Sequence, residues 1–208
     1  MSAISVLWTI LCLILLFTCS LAFFSPFWHE HIPDPTSANN SETFIAFGLL
    51  RFCLKEQFVT LGDINEWRAS KYCSFYKGIF PGIPSVFWKV ATIMYALALV
   101  LLLACLLLAH ISCCRKVICG KSVFSIAGII QGIAALLLFI SLIIYCFGLN
   151  SSFAKKHCGS SSGFFNSGTC KIAWGYVLAI VSTALLIFCP MMAHHLSVST
   201  PRKKSTVV

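Results

Sequence analysis

Hydrophobic residues along the chain occur in four long blocks that are separated by polar connections. The blocks cover about residues 4–24, 90–112, 123–147 and 172–192. Each block approaches or exceeds the ~20 residues that an α-helix needs to cross the hydrocarbon core of a bilayer. The pattern therefore predicts four membrane-spanning helices, with one polar stretch at 25–89 that is long enough to fold outside the membrane.

The composition agrees with an integral membrane protein. The chain has 208 residues, is 59% hydrophobic and 10% charged, and has a mean hydropathy of +0.91. A soluble globular domain carries about 25% charged residues, so the lipid bilayer is the expected environment. The net charge of +9 comes from short basic clusters beside the apolar blocks. Such clusters indicate topology and contact with lipid headgroups, and nucleic acid is not an expected partner.

The first block has two interpretations. It contains no charged residue, and aromatic side chains of the kind that settle at the headgroup level follow its outer end: Phe23, Phe24, Phe27 and Trp28. The alternative is a cleaved signal peptide with Ser20-Leu21-Ala22 as its cleavage site. Because the block is longer than the apolar region of a signal peptide and no basic segment precedes it, a retained span is predicted.

The basic residues predict the orientation of the chain in the membrane. The short connection at 113–122 and the tail at 196–208 are basic and contain no acid. The positive-inside rule places both segments, and both termini, in the cytoplasm. Three lysines in the loop at 148–171 oppose this charge argument.

This topology makes residues 1–195 a single tetraspan domain in the plasma membrane, followed by a disordered cytoplasmic tail at 196–208. The loops at 25–89 and 148–171 are then extracellular. Four spans predict a mainly α membrane fold, built as a left-handed four-helix bundle. A glycosylation sequon at Asn39-Asn40-Ser41 supports the orientation, whereas the sequon at Asn150 lies too close to the bilayer. Modification is predicted at Asn39 alone.

The twelve cysteines divide by predicted compartment. Five lie within spans, where a thiol acts as a small apolar side chain: Cys12, Cys19, Cys105, Cys146 and Cys189. Three lie in or beside the cytoplasmic connection: Cys113, Cys114 and Cys119. Palmitoylation of these three and unmodified reduced thiols are both open interpretations. A zinc site is not expected there, because a fourth ligand and paired spacing are missing.

The remaining four cysteines are predicted on the oxidising side of the membrane: Cys53, Cys73, Cys158 and Cys170. Four cysteines allow three connectivities. Pairing within each loop closes the shorter rings, so we predict Cys53 with Cys73 and Cys158 with Cys170.

The polar stretch contains segments of strand-like composition at 43–50 and 58–61, separated by turn residues. A small antiparallel sheet tied by a disulfide and resting on the bundle is predicted. Its charges nearly balance, because all six acidic residues of the chain lie in this stretch.

Little in the sequence predicts catalysis, a metal site or a cofactor. The blocks contain no Asp, Glu, Lys or Arg at mid-depth, which argues against a transporter. His29 and His31 flank Glu30, but without a defined third ligand they are expected to be solvated surface residues. No nucleophile, base and orienting residue form a recognisable set.

Gln131 is the strongly polar side chain deep in a block, between Gly128 and Gly132. An interhelical hydrogen bond and a local partner are both open for Gln131. The G-x-x-x-G spacing allows close approach of another helix, and packing inside the monomer is favoured over an oligomerisation face.

The order Trp28, Gly48-Leu49-Leu50, Cys53 and Cys73 resembles the W…GLW…C…C signature of the claudin superfamily, with Leu50 in place of the second tryptophan. A closer resemblance is to a sister group, the lipoma HMGIC fusion partner-like (LHFPL) tetraspan family. Its G-I-P-S-x-x-W segment matches residues from Gly82 through Pro84 to Trp88.

A second LHFPL-like pattern, C-G…S-G-x-F…G-x-C-x-I-x-W, matches residues from Cys158 to Trp174. Gly148-Leu149-Asn150 departs from the G-W-D segment of many members. The resemblance covers nearly the whole chain and implies a claudin-like fold, a four-helix bundle that carries an extracellular β-sheet. It also implies non-enzymatic work as an auxiliary or assembly subunit of a membrane receptor or channel complex.

The expected partner is therefore a heterologous membrane receptor, channel or adhesion protein, met through the sheet and the helix faces. The alternative is a claudin-like junctional adhesion or paracellular-barrier protein that forms homo-oligomers. Thr206 and Val208 match a peptide that adds a strand to a PDZ domain, which would favour junctional scaffolding. A small transporter or membrane enzyme is a third hypothesis, and it lacks the intramembrane polar groups it would need.

Overall fold

The computed structural model describes residues 3–32, 44–55, 71–114, 117–118 and 121–199. Long helices dominate this part of the chain, and a 3₁₀ turn at Gly148–Asn150 follows the third of them. The helices are α1 (Ala3–Phe24), α2 (Val86–Cys114), α3 (Val123–Phe147), α4 (Ser152–Cys158), α5 (Trp174–Leu186) and α6 (Phe188–Ser199).

Four stretches of these helices are long and apolar enough to cross a membrane: Ser5–Phe24, Val86–His110, Val123–Asn150 and Trp174–Leu196. The protein is therefore a multi-pass membrane protein in a lipid bilayer. The second span begins four residues before the predicted 90, because the apolar residues that follow Pro84 already have helical geometry. Lys89 N donates to Ser85 O at 3.0 Å, which closes the first turn.

The fourth span is divided into α5 and α6, where a single helix was predicted. Pro190 has no backbone N–H, and its ring excludes the carbonyl of Leu186, four residues earlier, from a regular helix. The chain bends at Ile187, whose N donates to Ala184 O at 3.3 Å. Helix α6 then continues to Ser199, so the prediction of disorder from 196 is wrong for residues 196–199. Residues 200–208 lie outside the described part.

Five of the strands form one antiparallel sheet in the order β4-β3-β2-β1-β7. They are β1 (His29–His31), β2 (Phe44–Phe47), β3 (Arg51–Lys55), β4 (Lys71–Phe75) and β7 (Lys171–Ile172). The predicted sheet is confirmed, and β2 lies inside the predicted segment 43–50. The predicted strand at 58–61 falls outside the described residues.

The sheet sits at one end of the bundle, which we call the sheet end, because its strands connect the ends of the spans there. Strand β1 follows α1, β4 precedes α2, and β7 lies between α4 and α5. A pair of two-residue strands, β5 (Val117–Ile118) and β6 (Lys121–Ser122), joins α2 to α3 at the opposite end.

Among the described elements, α2 and α3 share the most extensive contact, followed by α3 with α6 and α1 with α5. Aliphatic side chains such as Leu7, Val100 and Ile129 are exposed on the outer surface of the spans, as expected of helices that face lipid. The buried core runs from the middle of the bundle to the underside of the sheet without a break. The bundle and the sheet are therefore one packed unit.

Candidate functional site

Aromatic side chains fill the contact between the sheet and the bundle. The Trp28 ring lies 4.6 Å from that of Tyr145 and 5.3 Å from that of Tyr176, measured between ring centroids. The Trp88 ring stacks on Tyr145 at 5.5 Å. We call this cluster the aromatic junction; its members are Trp28, His29, Phe47, Trp88, Tyr95, Tyr145, Phe153 and Tyr176. Aromatic pairs of this kind each contribute about 0.5–1.5 kcal/mol beyond the area they bury.

Trp28 was interpreted as a headgroup-level residue, and the structure corrects this. Trp28 and Trp88 are both fully buried. Their indole N–H groups donate inside the fold, from Trp28 to Ala22 O at 2.7 Å and from Trp88 to Tyr145 O at 3.1 Å. The spans pack around both rings, and a buried indole with a satisfied N–H is a stable arrangement.

Glycine is needed where the backbone passes these tryptophans. A Cβ on Gly148 would overlap the indole of Trp88, and a Cβ on Gly48 would overlap Ser25 O. Leu49, next to Gly48, is fully buried below the sheet. The Gly48-Leu49 and Gly148 positions therefore fix how closely the loops approach the bundle.

The other residues of the family-like motifs lie around the same contact. Gly82 packs against the backbone of Lys77, and Pro84 is half-buried just before α2. Trp174 is exposed at the start of α5, with its ring 6.0 Å from that of Phe27. Trp174, unlike Trp28 and Trp88, has the exposure of a headgroup-level residue.

His29 also lies in the aromatic junction, which differs from its predicted position. It is 2% exposed, so the expectation of a solvated surface histidine is wrong. Its Nδ1 lies 3.3 Å from the Tyr145 hydroxyl, and its ring lies against Phe47 and Tyr176. Burial lowers the pKa of His29 from 6.5 to about 4, because the charged imidazolium loses its water.

His31, two residues further along β1, lies at the rim of the sheet. Its Nδ1 is 3.3 Å from Thr169 Oγ1. The pKa of nearby His157 is lowered, first by burial and then by Lys156 and His31. In the described ranges no group of three or more His, Cys, Asp or Glu side chains is placed to hold a metal ion.

Two disulfides tie the loops that carry the sheet. Cys53 and Cys73 are bonded across directly paired positions of β3 and β4, with their Cα atoms 4.0 Å apart. Cys158 is bonded to Cys170, which joins the end of α4 to the segment before β7. Each of the two bonds therefore joins two cysteines of the same loop.

Strand β4 is an edge strand of the sheet, as far as the described residues extend. It carries the exposed aromatic side chains of the sheet. Phe75 and Arg51 are directly paired, and the Arg51 guanidinium carbon lies 5.0 Å from the Phe75 ring centroid. Tyr72 is 62% exposed on the other face of the strand. Arg51 Nε is buried and has no hydrogen-bond acceptor among the described residues. We call Arg51, Tyr72 and Phe75 the edge patch; its side chains lie on both faces of the sheet along the β4 edge, and it combines residue types that are enriched in protein interfaces.

In the half of the bundle away from the sheet, Gln131 Nε2 donates to Cys12 Sγ at 2.8 Å, which joins α3 to α1. Gln131 Oε1 is buried without a partner in the described residues. A Cβ on Gly128 would lie 3.0 Å from the Ala193 Cβ, whereas a Cβ on Gly132 would meet no described atom within 4 Å. The two glycines therefore have different surroundings, and Gly128 is the one packed against another helix.

The predicted modification sites lie at the limits of the described residues or beyond them. Asn39 and Cys119 lie outside the described residues. Cys113 and Cys114 are the last two residues of α2. Their modification stays a prediction.

A family model described as "Lipoma HMGIC fusion partner-like protein" matches residues 4–198 of the chain. The chain is 26% identical to LHFPL tetraspan subfamily member 2a protein of Danio rerio, over 96% of this chain and 89% of that protein. It is 25% identical to LHFPL tetraspan subfamily member 2 protein of Homo sapiens, with 96% and 90% covered. The corresponding values for member 7 of Xenopus tropicalis are 28%, 93% and 91%. With four spans, a sheet on the aromatic junction and a family match over nearly its whole length, the chain belongs to the lipoma HMGIC fusion partner-like tetraspan family.

Proposed function

We propose that this protein is a non-enzymatic auxiliary or assembly subunit of a larger membrane receptor or channel complex, and that it binds its partner through the sheet. The observation that carries the proposal is the edge patch. Tyr, Phe and Arg side chains dominate the binding energy of many interfaces when a partner buries them. Arg51, which is half-buried beside Phe75, adds a charged guanidinium, a group that forms strong hydrogen bonds with carboxylate and carbonyl oxygens.

The fixed attachment of the sheet to the bundle supports the same proposal. The aromatic junction and the Cys53–Cys73 bond hold β3 and β4 in one arrangement before any partner binds. A preorganised surface loses less conformational entropy on association, so more of the contact energy appears as affinity.

The spans favour a supporting role over transport. Lys89 is the one charged residue in the four described spans, and it lies near the sheet end of α2. Ion and proton pathways normally need ionisable groups at mid-depth. We further propose a plasma-membrane location with both termini in the cytoplasm, so that the edge patch faces the extracellular side.

The test is affinity purification of the full chain from a mild detergent extract, followed by mass spectrometry. We expect a stoichiometric heterologous membrane protein whose affinity for the chain falls roughly ten-fold or more in Tyr72→Ser/Phe75→Ser, since aromatic interface anchors carry energies of that size. Ile172→Ser is the matched control, because Ile172 is similarly exposed in β7 at the opposite end of the sheet.

Equal recovery of the partner with the double variant and with the control would place the contact elsewhere. Recovery of homo-oligomers at cell contacts, without a heterologous partner, would replace the proposal with claudin-like junctional adhesion.

A further inference from the structure

The loop between α4 and β7 ends in a tight hairpin that presents two phenylalanines. Gly163 N donates to Asn166 O at 2.9 Å, and Asn166 N donates to Gly163 O at 3.2 Å. Phe164 and Phe165 are the two residues of the turn, and they are 54% and 64% exposed. Phe165 has φ +57°, a backbone conformation that a bulky side chain rarely adopts.

Contacts around the turn hold this conformation in place. Ser162 Oγ donates to Leu149 O at 2.7 Å, which ties the hairpin to the 3₁₀ turn that follows α3. The Asn166 side chain donates to Ser161 O at 3.2 Å and accepts from Gly168 N at 3.0 Å. The Cys158–Cys170 bond closes the base of the loop. An unfavourable backbone geometry that is held this firmly fixes the direction of both rings.

The two rings lie at the level where the spans end. The Phe147 ring, at the last residue of α3, lies 5.6 Å from the Phe164 ring and 5.4 Å from the Phe165 ring. The Phe87 ring, near the start of α2, lies 6.0 Å from that of Phe147. Phe87 and Phe147 both belong to membrane-spanning stretches. The hairpin tip therefore continues the lipid-facing surface of the second and third spans.

The chemistry of the loop fits the boundary between headgroups and hydrocarbon. Residues 158–170 include no Asp, Glu, Lys or Arg, so approach to the bilayer removes no charged side chain from water. Large aromatic side chains are favoured at this depth, and burying their apolar area is favourable.

We propose that Phe164 and Phe165 insert into the bilayer interface at the sheet end and anchor the second loop to lipid. The occupant of this surface is lipid because the rings are continuous with span residues that already face the bilayer. The anchor holds α4 and β7 at a fixed depth, and through β1 it holds the sheet at a fixed distance from the membrane. The inference is independent of the partner that the sheet binds.

The test uses the full chain, one copy per lipid nanodisc, with Phe165→Trp or Phe164→Trp as the reporter. The added indole emission is obtained by subtracting the spectrum of the unmodified chain, in nanodiscs with ordinary lipids and with lipids brominated near the glycerol backbone. We expect the bromolipids to remove most of the added emission of both variants. Tyr72→Trp is the control, because Tyr72 is equally exposed but lies on the sheet, and its emission should persist.

An intact Cys158–Cys170 bond and an unchanged unfolding temperature show that each reporter is folded. Added emission that persists in bromolipid nanodiscs for both hairpin reporters would overturn the proposal. Protection of the indoles only in discs that hold two copies would overturn it as well, and would identify a second copy of the chain as the occupant.

Discussion

His29 couples burial to protonation where the sheet meets the bundle. Its partners are the Tyr145 hydroxyl and the rings of Phe47 and Tyr176, so the groups that face it are uncharged. An imidazolium in this position would lose its hydration without gaining a carboxylate partner. The folded protein therefore accommodates the neutral form of His29, and acid should weaken the packing of the sheet on the bundle.

The prediction at this scale is a loss of stability in acid. The pKa of His29 is about 4 in the folded protein and 6.5 ordinarily, so the unfolded chain binds more protons between these values. The contribution of neutral His29 to the free energy of unfolding is complete above about pH 6.5. It declines as the pH falls toward 4, by roughly 3 kcal/mol in total. Thermal unfolding in nanodiscs between pH 7 and pH 4 measures it.

His29→Gln is the matched variant, since its amide can still bond to Tyr145 but does not titrate. The carboxylates and His157 contribute equally to the pH dependence of unfolding in the unmodified chain and in the variant. The difference between the two pH profiles therefore isolates His29. Parallel profiles would show that His29 is not the group responsible.

Helix α3 contains two glycines one turn apart that differ in what surrounds them. Gly128 faces α6, with Ala193 and the backbone of Pro190 beside it. A Cβ on Gly132 would meet no atom of the described residues within 4 Å. A helix position against a neighbouring helix tolerates added volume poorly, because packed interiors leave few voids. Of the two glycines in the G-x-x-x-G spacing, Gly128 is therefore the one that packs against a neighbouring helix of the monomer.

Valine at each position tests this difference. We expect Gly128→Val to destabilise the protein by about 1–3 kcal/mol, the usual cost of overpacking. Gly132→Val should change stability by less than about 0.5 kcal/mol, since no described atom obstructs it. Unfolding temperatures in the same detergent compare the two. Equal losses would mean that Gly132 also has a close neighbour, and its lateral association would then need measuring.

At the scale of the whole molecule, the proposed orientation places the sheet end outside the cell. The basic connection between α2 and α3 lies at the end opposite the sheet, as the positive-inside rule requires if the sheet is extracellular. The two disulfides at the sheet end fit the oxidising side of the membrane.

Glycosylation tests this orientation. We expect the protein from cells to carry an N-glycan at Asn39, so Asn39→Gln should migrate faster on a gel and stop responding to peptide N-glycosidase. Asn150→Gln should migrate like the unmodified chain, because Asn150 ends the 3₁₀ turn directly after α3 and lies too close to the bilayer. A chain that is unmodified at both sequons would remove this support, and a glycan at Asn150 alone would contradict the prediction.

The number of spans and the existence of a sheet beside them were predictable from the sequence, because both depend on local composition. An apolar block of ~20 residues can satisfy its backbone only as a helix once it is in lipid. The within-loop pairing of Cys53 with Cys73 and Cys158 with Cys170 also follows from short separation along the chain. Pro190 was evident in the sequence, but the residue at which α5 would end before it was not.

The tertiary structure decided which aromatic residues face lipid and which are buried. Trp28, Trp88 and Trp174 all stand at the ends of spans, yet the first two are enclosed and the third is exposed. His29 follows Trp28 into the aromatic junction because β1 pairs with β2 and lies above α3 and α5. Composition cannot separate these cases, since the burial of a side chain at a helix end depends on which neighbouring helix reaches it.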